Sequence, residues 1–469
     1  MITEFRKRVE HALNQDETRT NVNNVVHKLR DHHRAAFYDP DQLQQLRRQC
    51  MTIRASAMSR LPELLEQLES NLIRNGTQVH WAETNEQANR IVLDIMRQRN
   101  AEFLIKGKSM VSEEMGINHF LESHGIKCLE SDLGEFIIQL AGEKPSHIIV
   151  PALHKNRKQI ARLFHNRFPE IPYTEDINAL AQIARDYLRN KFAKAPAGLT
   201  GVNFMVAETG TLCLVENEGN GRMCATVPPL HIAVTGIEKV VEYLSDVPPL
   251  LTMLTRSGTG QPITTYFNMI NGPRRPGEKD GPTEVHLVLL DNGRSRIYSD
   301  PELLPTLRCI RCGACINYCP VYKHIGGHTY NTVIPGPIGA ILEPQKNGLD
   351  IHGELTQAST LCGACEEVCP VQIPIPKIIN RLRWDYIRRD ACTTPGSGAG
   401  RKSMEAIIWK IWAWSCTHPA IYNLCMRTAT RLRNVLPAKL IPWTTVRKIP
   451  KLAETTLHEH IRTMKIDHE

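Results

Sequence analysis

Residues 309–320 read CIRCGACINYCP, and residues 361–370 read LCGACEEVCP. The first stretch has the spacing C-x2-C-x2-C-x3-C-P, which is typical of bacterial iron–sulfur proteins, and the second repeats its last three cysteines and its proline. Because cysteine makes up only 14 of 469 residues, four at these offsets would arise by chance at roughly one start position in a million. The two stretches therefore predict two iron–sulfur clusters.

In such a run, three closely spaced thiolates hold one [4Fe–4S] cluster, and the cysteine before proline binds the other cluster. This rule assigns to the first cluster Cys309, Cys312, Cys315 and Cys369, and to the second Cys319, Cys362 and Cys365. The second set is one cysteine short, because the register of the first motif puts Ser359 at the position of the missing ligand. We predict two [4Fe–4S] clusters, the second of them incompletely ligated or in a [3Fe–4S] form.

Paired C-x2-C units also occur in zinc ribbons, so a structural zinc site is the alternative interpretation. Zinc needs neither a third cysteine in the run nor a Cys-Pro pair, and both are present here, which favours iron and sulfur. Most of the other cysteines are expected to be buried thiols, because free cysteine behaves as a small apolar side chain. They are Cys50, Cys128, Cys213, Cys224, Cys392, Cys416 and Cys425.

The composition predicts a soluble globular protein of two or three domains, since 42% of the 469 residues are apolar. The first sixteen residues lack the apolar centre of a signal peptide, which indicates a cytoplasmic protein. The net charge of +8 is spread along the chain rather than gathered in a basic block with interleaved aromatics, which argues against nucleic-acid binding. No apolar run reaches the length of a membrane span.

The chain before the motifs divides into two parts. Residues 1–75 carry apolar side chains at helical spacing and are predicted to be helical, whereas residues 76–293 alternate short apolar strands with amphipathic helices. The predicted strands are 79–81, 103–105, 147–150, 204–207 and 286–290, and the predicted helices are 84–99 and 113–124. Such alternation indicates an α/β domain with a largely parallel sheet, closed by the turn at 291–293.

A candidate ligand site lies in the segment AETGTLCLVENEGN at 207–220, where Gly210 and Gly219 are expected in tight turns between strands. Polar residues crowd both ends of the intervening strand, where α/β folds place ligands: Glu208, Thr209, Glu216, Asn217, Glu218 and Asn220. Ordinary polar turns are the alternative. The stretches 106–109 and 151–156 are expected either to hold an anion or to be solvated loops.

The cysteine motifs belong to a predicted module at 294–392, with a helix at 375–389 and a wrapped loop through 335–339. The region 393–469 is predicted to be a Pro/Gly/Ser linker at 393–400 followed by a helical tail. The tail's aromatic and basic content allows peripheral membrane contact, partner docking or packing on the chain's own core. Its tryptophans are Trp409, Trp412, Trp414 and Trp443.

Charged and imidazole side chains accompany the motifs. Arg308, Arg311 and Lys323 flank the first motif, where positive charge stabilises a reduced cluster or forms a docking surface. His324 and His328 lie between the motifs and are expected to pack near the clusters rather than to ligate them.

With these motifs together, the chain resembles the lactate utilization protein B family of bacterial iron–sulfur proteins. The matching stretches are CIRCGACINYCPVY at 309–322, GGHTY at 326–330, PGPIGA at 335–340, LCGACEEVCPVQIPI at 361–375 and AETGTLCLVENEGN at 207–220. The resemblance implies an α/β domain of the lactate-utilization type, similar to sugar-phosphate isomerase and CoA-transferase-like folds, followed by an α-helical ferredoxin module. Some members of the family have a complete second motif, from which Ser359 departs.

The resemblance also implies a function in oxidising L-lactate to pyruvate with two sister proteins, a cysteine-rich chain and a single-domain α/β chain. An electron-transfer subunit of a related 2-hydroxy-acid dehydrogenase, or an α/β-domain enzyme on a small carboxylate or phosphorylated substrate, is the alternative. The sequence contains no G-x-G-x-x-G after a predicted strand and no P-loop, so no group that would take hydride from lactate is evident in it. This favours electron transfer, with the catalytic residues and the electron acceptor left open.

Overall fold

The computed structural model describes residues 4–107, 109–393, 399–434 and 451–464, with the side chains of 389–406 outside the description. It divides into two compact units, Met1–Tyr386 and Ile387–Glu469. The predicted domain limits at 75, 293 and 392 stay predictions.

Four helices precede the first strand, as predicted for residues 1–75. They are α1 (Glu4–Leu13), α2 (Asp16–Ala36), α3 (Pro40–Ser59) and α4 (Leu61–Arg74). Helix α4 buries the leucines that follow each other at helical spacing, from Leu61 to Leu72. Asp39 caps the N-terminus of α3, because its carboxylate accepts hydrogen bonds from the N–H groups of Asp41 and Gln42.

A six-stranded sheet forms the centre of the α/β region, and every neighbouring pair in it is parallel, which confirms the prediction of a largely parallel sheet. In spatial order its strands are β1 (Gln78–Ala82), β10 (Glu284–Leu290), β7 (Leu230–Gly236), β4 (Ala197–Thr200), β2 (Phe103–Gly107) and β3 (Lys127–Glu130). After β2 the next strand of this sheet along the chain is β3, which lies at the sheet edge beside β2. After β4 the next strand of this sheet is β7, which lies on the opposite side, away from β2. The carboxyl ends of β2 and β4 therefore form a topological switch point, where such folds bind ligands.

Nine helices with bounds in the described residues lie between β1 and the cysteine region. They are α5 (Asn85–Gln98), α6 (Met110–Met115), α7 (Ile117–Ser123), α8 (Leu133–Ala141), α9 (Arg157–Arg167), α10 (Ile177–Phe192), α11 (Asn220–Thr226), α12 (Val247–Thr259) and α13 (Arg294–Tyr298). The helix predicted at 113–124 is divided at Gly116, which has a left-handed φ of 64°. The turn predicted at 291–293 follows β10 and leads into α13.

The strand predicted at 147–150 is wrong. The His147 Nδ1 atom accepts hydrogen bonds from the N–H groups of Ile149 and Val150, at 3.1 and 3.2 Å, and the Ser146 N–H donates to the Pro151 carbonyl. A side chain that captures neighbouring backbone donors competes with a sheet ladder. The apolar run at 148–150 therefore forms a turn.

A second sheet was not predicted. It has the order β8 (Val240–Val241), β5 (Phe204–Val206), β6 (Thr211–Glu216) and β9 (Tyr266–Ile270). Strands β5 and β6 form an antiparallel hairpin that turns at Gly210, where φ is 64° and a Cβ atom would lie 2.7 Å from the backbone of Asn71. Gly219 does not join two strands as expected, because it precedes α11.

The cysteine region is helical and shares one apolar core with α2 to α4 and the second sheet. Its helices are α14 (Ala314–Tyr318), α15 (Pro320–Ile325), α16 (Gly336–Asn347), α17 (Leu349–His352), α18 (Ala364–Glu367) and α19 (Ile375–Thr393). The loop predicted through 335–339 is wrong, because these residues begin α16. Burial of the residues from Gly336 to Lys346 outweighs their low helix propensity, and Gly339 packs against the Ile334 carbonyl.

The second unit contains α20 (Ala399–Thr417), α21 (Pro419–Arg431) and α22 (Leu457–Thr463). Residues 394–398 of the predicted linker, and Trp443, lie outside the described residues. Trp409, Trp412 and Trp414 are 53 to 58% exposed. Within the described ranges, no helix combines the length and apolar character needed to cross a bilayer.

Candidate functional site

The two cysteine motifs share an unusual backbone path. Arg311 and Leu361, which each precede a motif cysteine, have φ values of 62° and 57°. Gly313 and Gly363, which each follow that cysteine, have φ values of 77° and 86° and begin α14 and α18. Positive φ at a non-glycine residue is uncommon, and here it recurs at matched positions. The motifs are therefore two copies of one loop-to-helix structure.

Ser359 lies at the structural position of Cys309. The Arg311 N–H donates to the Cys309 Sγ atom at 3.4 Å, and the Leu361 N–H donates to the Ser359 Oγ atom at 3.1 Å. Each contact spans two residues of the repeated loop, and the longer distance belongs to the larger sulfur atom. A hydroxyl thus occupies the position in the second loop that a thiol occupies in the first.

Four thiols come together beside the first loop. Burial raises the pKa of the Cys315 thiol well above its ordinary value, and the neighbouring thiols of Cys312, Cys309 and Cys369 raise it further. Burial also raises the pKa of Cys369 to about 11, and Cys309 contributes to this shift. Cys369 therefore lies with the first motif although it belongs to the second.

Three thiols come together beside the second loop. Burial raises the pKa of Cys365 to about 12, and the thiols of Cys319 and Cys362 add to the rise. Burial raises the pKa of Cys319 to about 11, with Cys362 as the thiol that adds to it. The two groups are neighbours, because Cys365 also contributes to the raised pKa of Cys315. Which thiol binds which cluster stays a prediction.

These thiol groups fit iron–sulfur clusters. Backbone N–H groups point at the sulfurs: Tyr322 donates to Cys319 Sγ and Ile373 to Cys369 Sγ, each at 3.4 Å. Such donors stabilise the thiolate charge that a cluster requires. Burial of several thiols with mutually raised pKa values is unfavourable for free thiolates, whereas a bound metal ion deprotonates a coordinating thiol. The chemistry of the donor set therefore matches the group that the spacing predicts.

Basic side chains from distant parts of the chain surround the first thiol group. Arg47 donates to the carbonyl of Cys369 at 3.0 Å, and Lys239 donates to the carbonyl of Cys309 at 3.4 Å. Arg54, which is 1% exposed, donates to the carbonyl of Leu307 at 3.0 Å. Sequence reasoning missed these residues, because up to 322 positions separate them from the cysteines and no local signal marks them.

The flanking residues that the sequence did identify have different surroundings. Arg311 reaches the Glu238 carboxylate at 3.4 Å, and Lys323 contacts the His27 ring at 3.1 Å. His328 donates to the Lys144 carbonyl at 2.8 Å, so it faces the α/β region.

The α/β region is tied directly to the helix that carries Cys315. The His147 ring hydrogen-bonds through Nε2 to the Asn317 side chain at 3.0 Å. Burial lowers the pKa of His147 to about 4, so the ring is neutral at pH 7. Asn317 also donates to the Gly258 carbonyl at 3.3 Å, which joins α12 to the same contact.

The six polar residues of the candidate ligand segment lie at two places, one at each end of β6. Glu208 and Thr209 lie at the β5–β6 turn, where Glu208 accepts a hydrogen bond from the Leu244 N–H at 3.0 Å. The other four lie at the opposite end of β6, five strand residues away, which corresponds to about 16 Å. The two groups are therefore too far apart to contact one small ligand together, and a binding role for either group stays a prediction.

The residues at the far end of β6 mainly position α11. Glu216 accepts hydrogen bonds from the N–H groups of Gly221 and Arg222, at 2.6 and 2.7 Å. Asn217 donates to Gln261 at 2.9 Å. Asn220 is buried against Gly107 at the switch point, and no hydrogen-bond partner for its amide occurs among the described residues. Of the six, Asn220 has the surroundings of a ligand residue.

Lys106 lies at the same switch point, at the carboxyl end of β2. Its ammonium group is 1% exposed and pairs with Glu113 and, at 2.7 Å, with Glu130. Burial lowers its pKa, but the two carboxylates outweigh burial and raise it. Burial, with Glu130 as neighbour, raises the pKa of Glu135. Sequence reasoning missed Glu130 and Glu135, and Lys108 of the predicted 106–109 cluster lies outside the described residues.

Three protein-family models match the chain. The LUD domain matches residues 65–290, the 4Fe-4S dicluster domain matches 305–373, and the C-terminal region of lactate utilisation protein B matches 381–466. The second of these contains both cysteine motifs. The first contains the parallel sheet.

Curated relatives align with nearly the whole chain. Lactate utilization protein B of Bacillus velezensis is 40% identical, over 95% of this chain and 90% of its own length. The protein of the same name from Bacillus subtilis is 38% identical with the same coverage. An uncharacterized electron transport protein of Escherichia coli, YkgF, is 41% identical over 90% of this chain and 87% of its own length.

Proposed function

The chain belongs to the lactate utilization protein B family, and from that premise we propose that it is the electron-transfer subunit of a multi-protein system that oxidises L-lactate to pyruvate. The observation that carries the proposal is the pair of adjacent thiol groups at the two repeated loops, in which all cysteines except the half-buried Cys309 and the exposed Cys362 are buried. When bound there, two iron–sulfur clusters supply one-electron steps. Oxidation of one lactate releases two electrons and two protons, so two single-electron sites suit this donor.

The ligands follow from the thiol groups. We infer that the first [4Fe–4S] cluster is held by Cys309, Cys312, Cys315 and Cys369, and the second by Cys319, Cys362 and Cys365. The second would carry an open iron position beside the Ser359 hydroxyl, which accepts from Leu361. Its form is then a site-differentiated [4Fe–4S] cluster or a [3Fe–4S] cluster.

The basic residues of the chain give the two sites different charge environments. Arg47 bonds to the carbonyl of Cys369, and Arg54 bonds to the carbonyl of Leu307 beside the first group. Burial lowers the pKa of Lys239 to about 7, so this lysine supplies less positive charge than the two arginines. In the second loop, Arg383 bonds to the carbonyl of Ser359 at 2.8 Å. Positive charge stabilises the more negative reduced state, so each arginine would raise the reduction potential of the site beside it.

The remaining steps belong to partner chains. The sequence has no flavin or nicotinamide fingerprint to receive hydride, so lactate would be oxidised by a sister subunit, and the final acceptor also lies outside this chain. An α/β-domain enzyme is the less favoured alternative, because the ammonium group of Lys106 is already paired with two carboxylates.

The test is anaerobic purification of the chain alone and together with its sister chains, followed by addition of L-lactate and electron paramagnetic resonance. Cluster reduction is expected only with the sister chains present. D-lactate and glycolate are the substrate controls, and reduction by either in place of L-lactate would favour a related 2-hydroxy-acid dehydrogenase. Lactate-dependent dye reduction by the pure chain alone would contradict the proposal.

A further inference from the structure

A second group of metal-ligand side chains lies away from the cysteines. Glu143, two residues after α8, and His154, before α9, meet His328 from the segment between the cysteine motifs. One ligand atom from each residue lies within 4.8 Å of the other two. Together they line a surface cavity of about 420 Å³. The cluster thus joins the α/β region to the cysteine region.

The ring of His328 is oriented by a backbone group. Its Nε2 atom lies 2.8 Å from the Lys144 carbonyl, which only accepts hydrogen bonds, so Nε2 carries the proton. In the neutral imidazole Nδ1 then holds a lone pair. A ligating histidine in a metal site is commonly held in this way, with its second ring nitrogen donating to a carbonyl.

The ring of His154 lies between a hydroxyl and a carboxylate. Its Nδ1 atom is 2.7 Å from the Ser146 Oγ atom, and its Nε2 atom is 2.7 Å from the Glu143 carboxylate. The Ser146 hydroxyl also has the Pro151 carbonyl in reach at 3.1 Å. In one arrangement the Ser146 hydroxyl donates to Nδ1 of His154, and Nε2–H of His154 donates to Glu143. In a second arrangement the Ser146 hydroxyl donates to the Pro151 carbonyl, its Oγ atom accepts from Nδ1–H of His154, and the lone pair of Nε2 faces Glu143.

That second arrangement is the one a cation requires. A nitrogen lone pair and a carboxylate oxygen repel each other at hydrogen-bond distance, and a cation between them converts the repulsion into coordination. Ser146 can thus support either ring tautomer of His154, one without the ion and one with it. Burial lowers the pKa of His154 to about 4, so no ring proton has to be displaced at pH 7.

We propose that Glu143, His154 and His328 bind one divalent transition-metal ion of the zinc type. Two imidazoles and one carboxylate form a known ligand set for zinc sites that keep an open position. Here the open position faces the cavity, which Thr18 and Asn331 also line. The ion would hold the 143–154 segment against the segment between the cysteine motifs, and the site is independent of the proposed electron transfer.

The test uses the full chain, purified anaerobically with its clusters intact and its iron counted. Zn²⁺ binding is measured by competition with a chromophoric chelator, and one high-affinity ion per chain is expected. His328→Ala and Glu143→Gln should each weaken binding by about tenfold or more. His324→Ala is the matched control, because His324 is an exposed histidine of the same segment outside the cluster.

A second readout separates this site from zinc bound at cysteines. Zn²⁺ should slow hydrogen exchange at 143–155 in the parent and in His324→Ala, with no change in iron content, but not in His328→Ala. If His328→Ala loses iron, its zinc affinity no longer reports on this site alone, and the comparison of the parent with Glu143→Gln is used instead. Equal affinity in parent, His328→Ala and Glu143→Gln, or zinc uptake that rises as iron is lost, would overturn the proposal.

Discussion

Replacement of Ser359 by cysteine tests the incomplete second site most directly. The Ser359 Oγ atom accepts from the Leu361 N–H at 3.1 Å, and the equivalent sulfur of Cys309 accepts from Arg311 at 3.4 Å. The difference matches the larger radius of sulfur, so a thiol at 359 should enter the loop without a backbone shift. Ser359→Cys is therefore expected to supply a fourth thiolate to the second cluster.

The expected magnitude is one iron atom. With three protein thiolates, one of the four irons in the second cluster lacks a thiolate and should be lost first in air, leaving about seven of about eight irons per chain. The lost iron should be accompanied by the signal of a [3Fe–4S] form. Ser359→Cys should retain that iron over the period in which the parent loses it.

The assay is iron counting with electron paramagnetic resonance during exposure to air. Thr360→Cys is the matched control, since residue 360 is exposed and one position out of register. Equal iron loss in the parent and Ser359→Cys would refute the reasoning and indicate a ligand from outside the motif. Equal protection by Thr360→Cys would refute it as well, because a thiol without the right position would then suffice.

Three further outcomes are expected. Cys309→Ala should remove the first cluster's signal and about four irons, and should raise proteolytic cleavage in α3, which packs on that region; unchanged iron would contradict the ligand assignment. The free energy of unfolding should fall as pH drops from 6.5 toward 4, by up to about 1.4 kcal/mol per pH unit for each of the buried His147 and His231. The reason is that folding lowers both pKa values to about 4, so the unfolded state takes up protons first. A urea midpoint that stays constant over this pH range would contradict this expectation. Arg294→Met should cost about 3–5 kcal/mol, since it removes the buried guanidinium between Glu114 and Glu238 and leaves them only Lys346 and Arg311 as charged partners. Arg60→Met at a surface ion pair should leave the urea midpoint nearly unchanged. Similar urea midpoints for the two variants would be inconsistent with this.

Some features followed from local sequence because their causes are local. The helical N-terminal region and the parallel sheet were predicted correctly from apolar spacing, which reflects the 3.6- and 2-residue periods of helices and strands. The cysteine spacing also identified Ser359 as the equivalent of Cys309, because the same short loop recurs with positive φ at matched residues. The family resemblance rests on the same motifs and is confirmed by relatives about 40% identical over 95% of the chain.

Other features depend on contacts between residues far apart in sequence. Arg47 reaches the Cys369 carbonyl across 322 positions, and no spacing rule connects them. The apolar run at 148–150 does not form a strand, because the His147 ring accepts a hydrogen bond from the Ile149 N–H group. The orientation of that ring is fixed in turn by a hydrogen bond to Asn317 in α14. Chain folding also separated the polar residues around β6, because the two ends of one strand face different parts of the molecule. Local patterns determined which groups are chemically able to bind, and tertiary packing decided which of them meet, since charge and hydrogen bonding act through space.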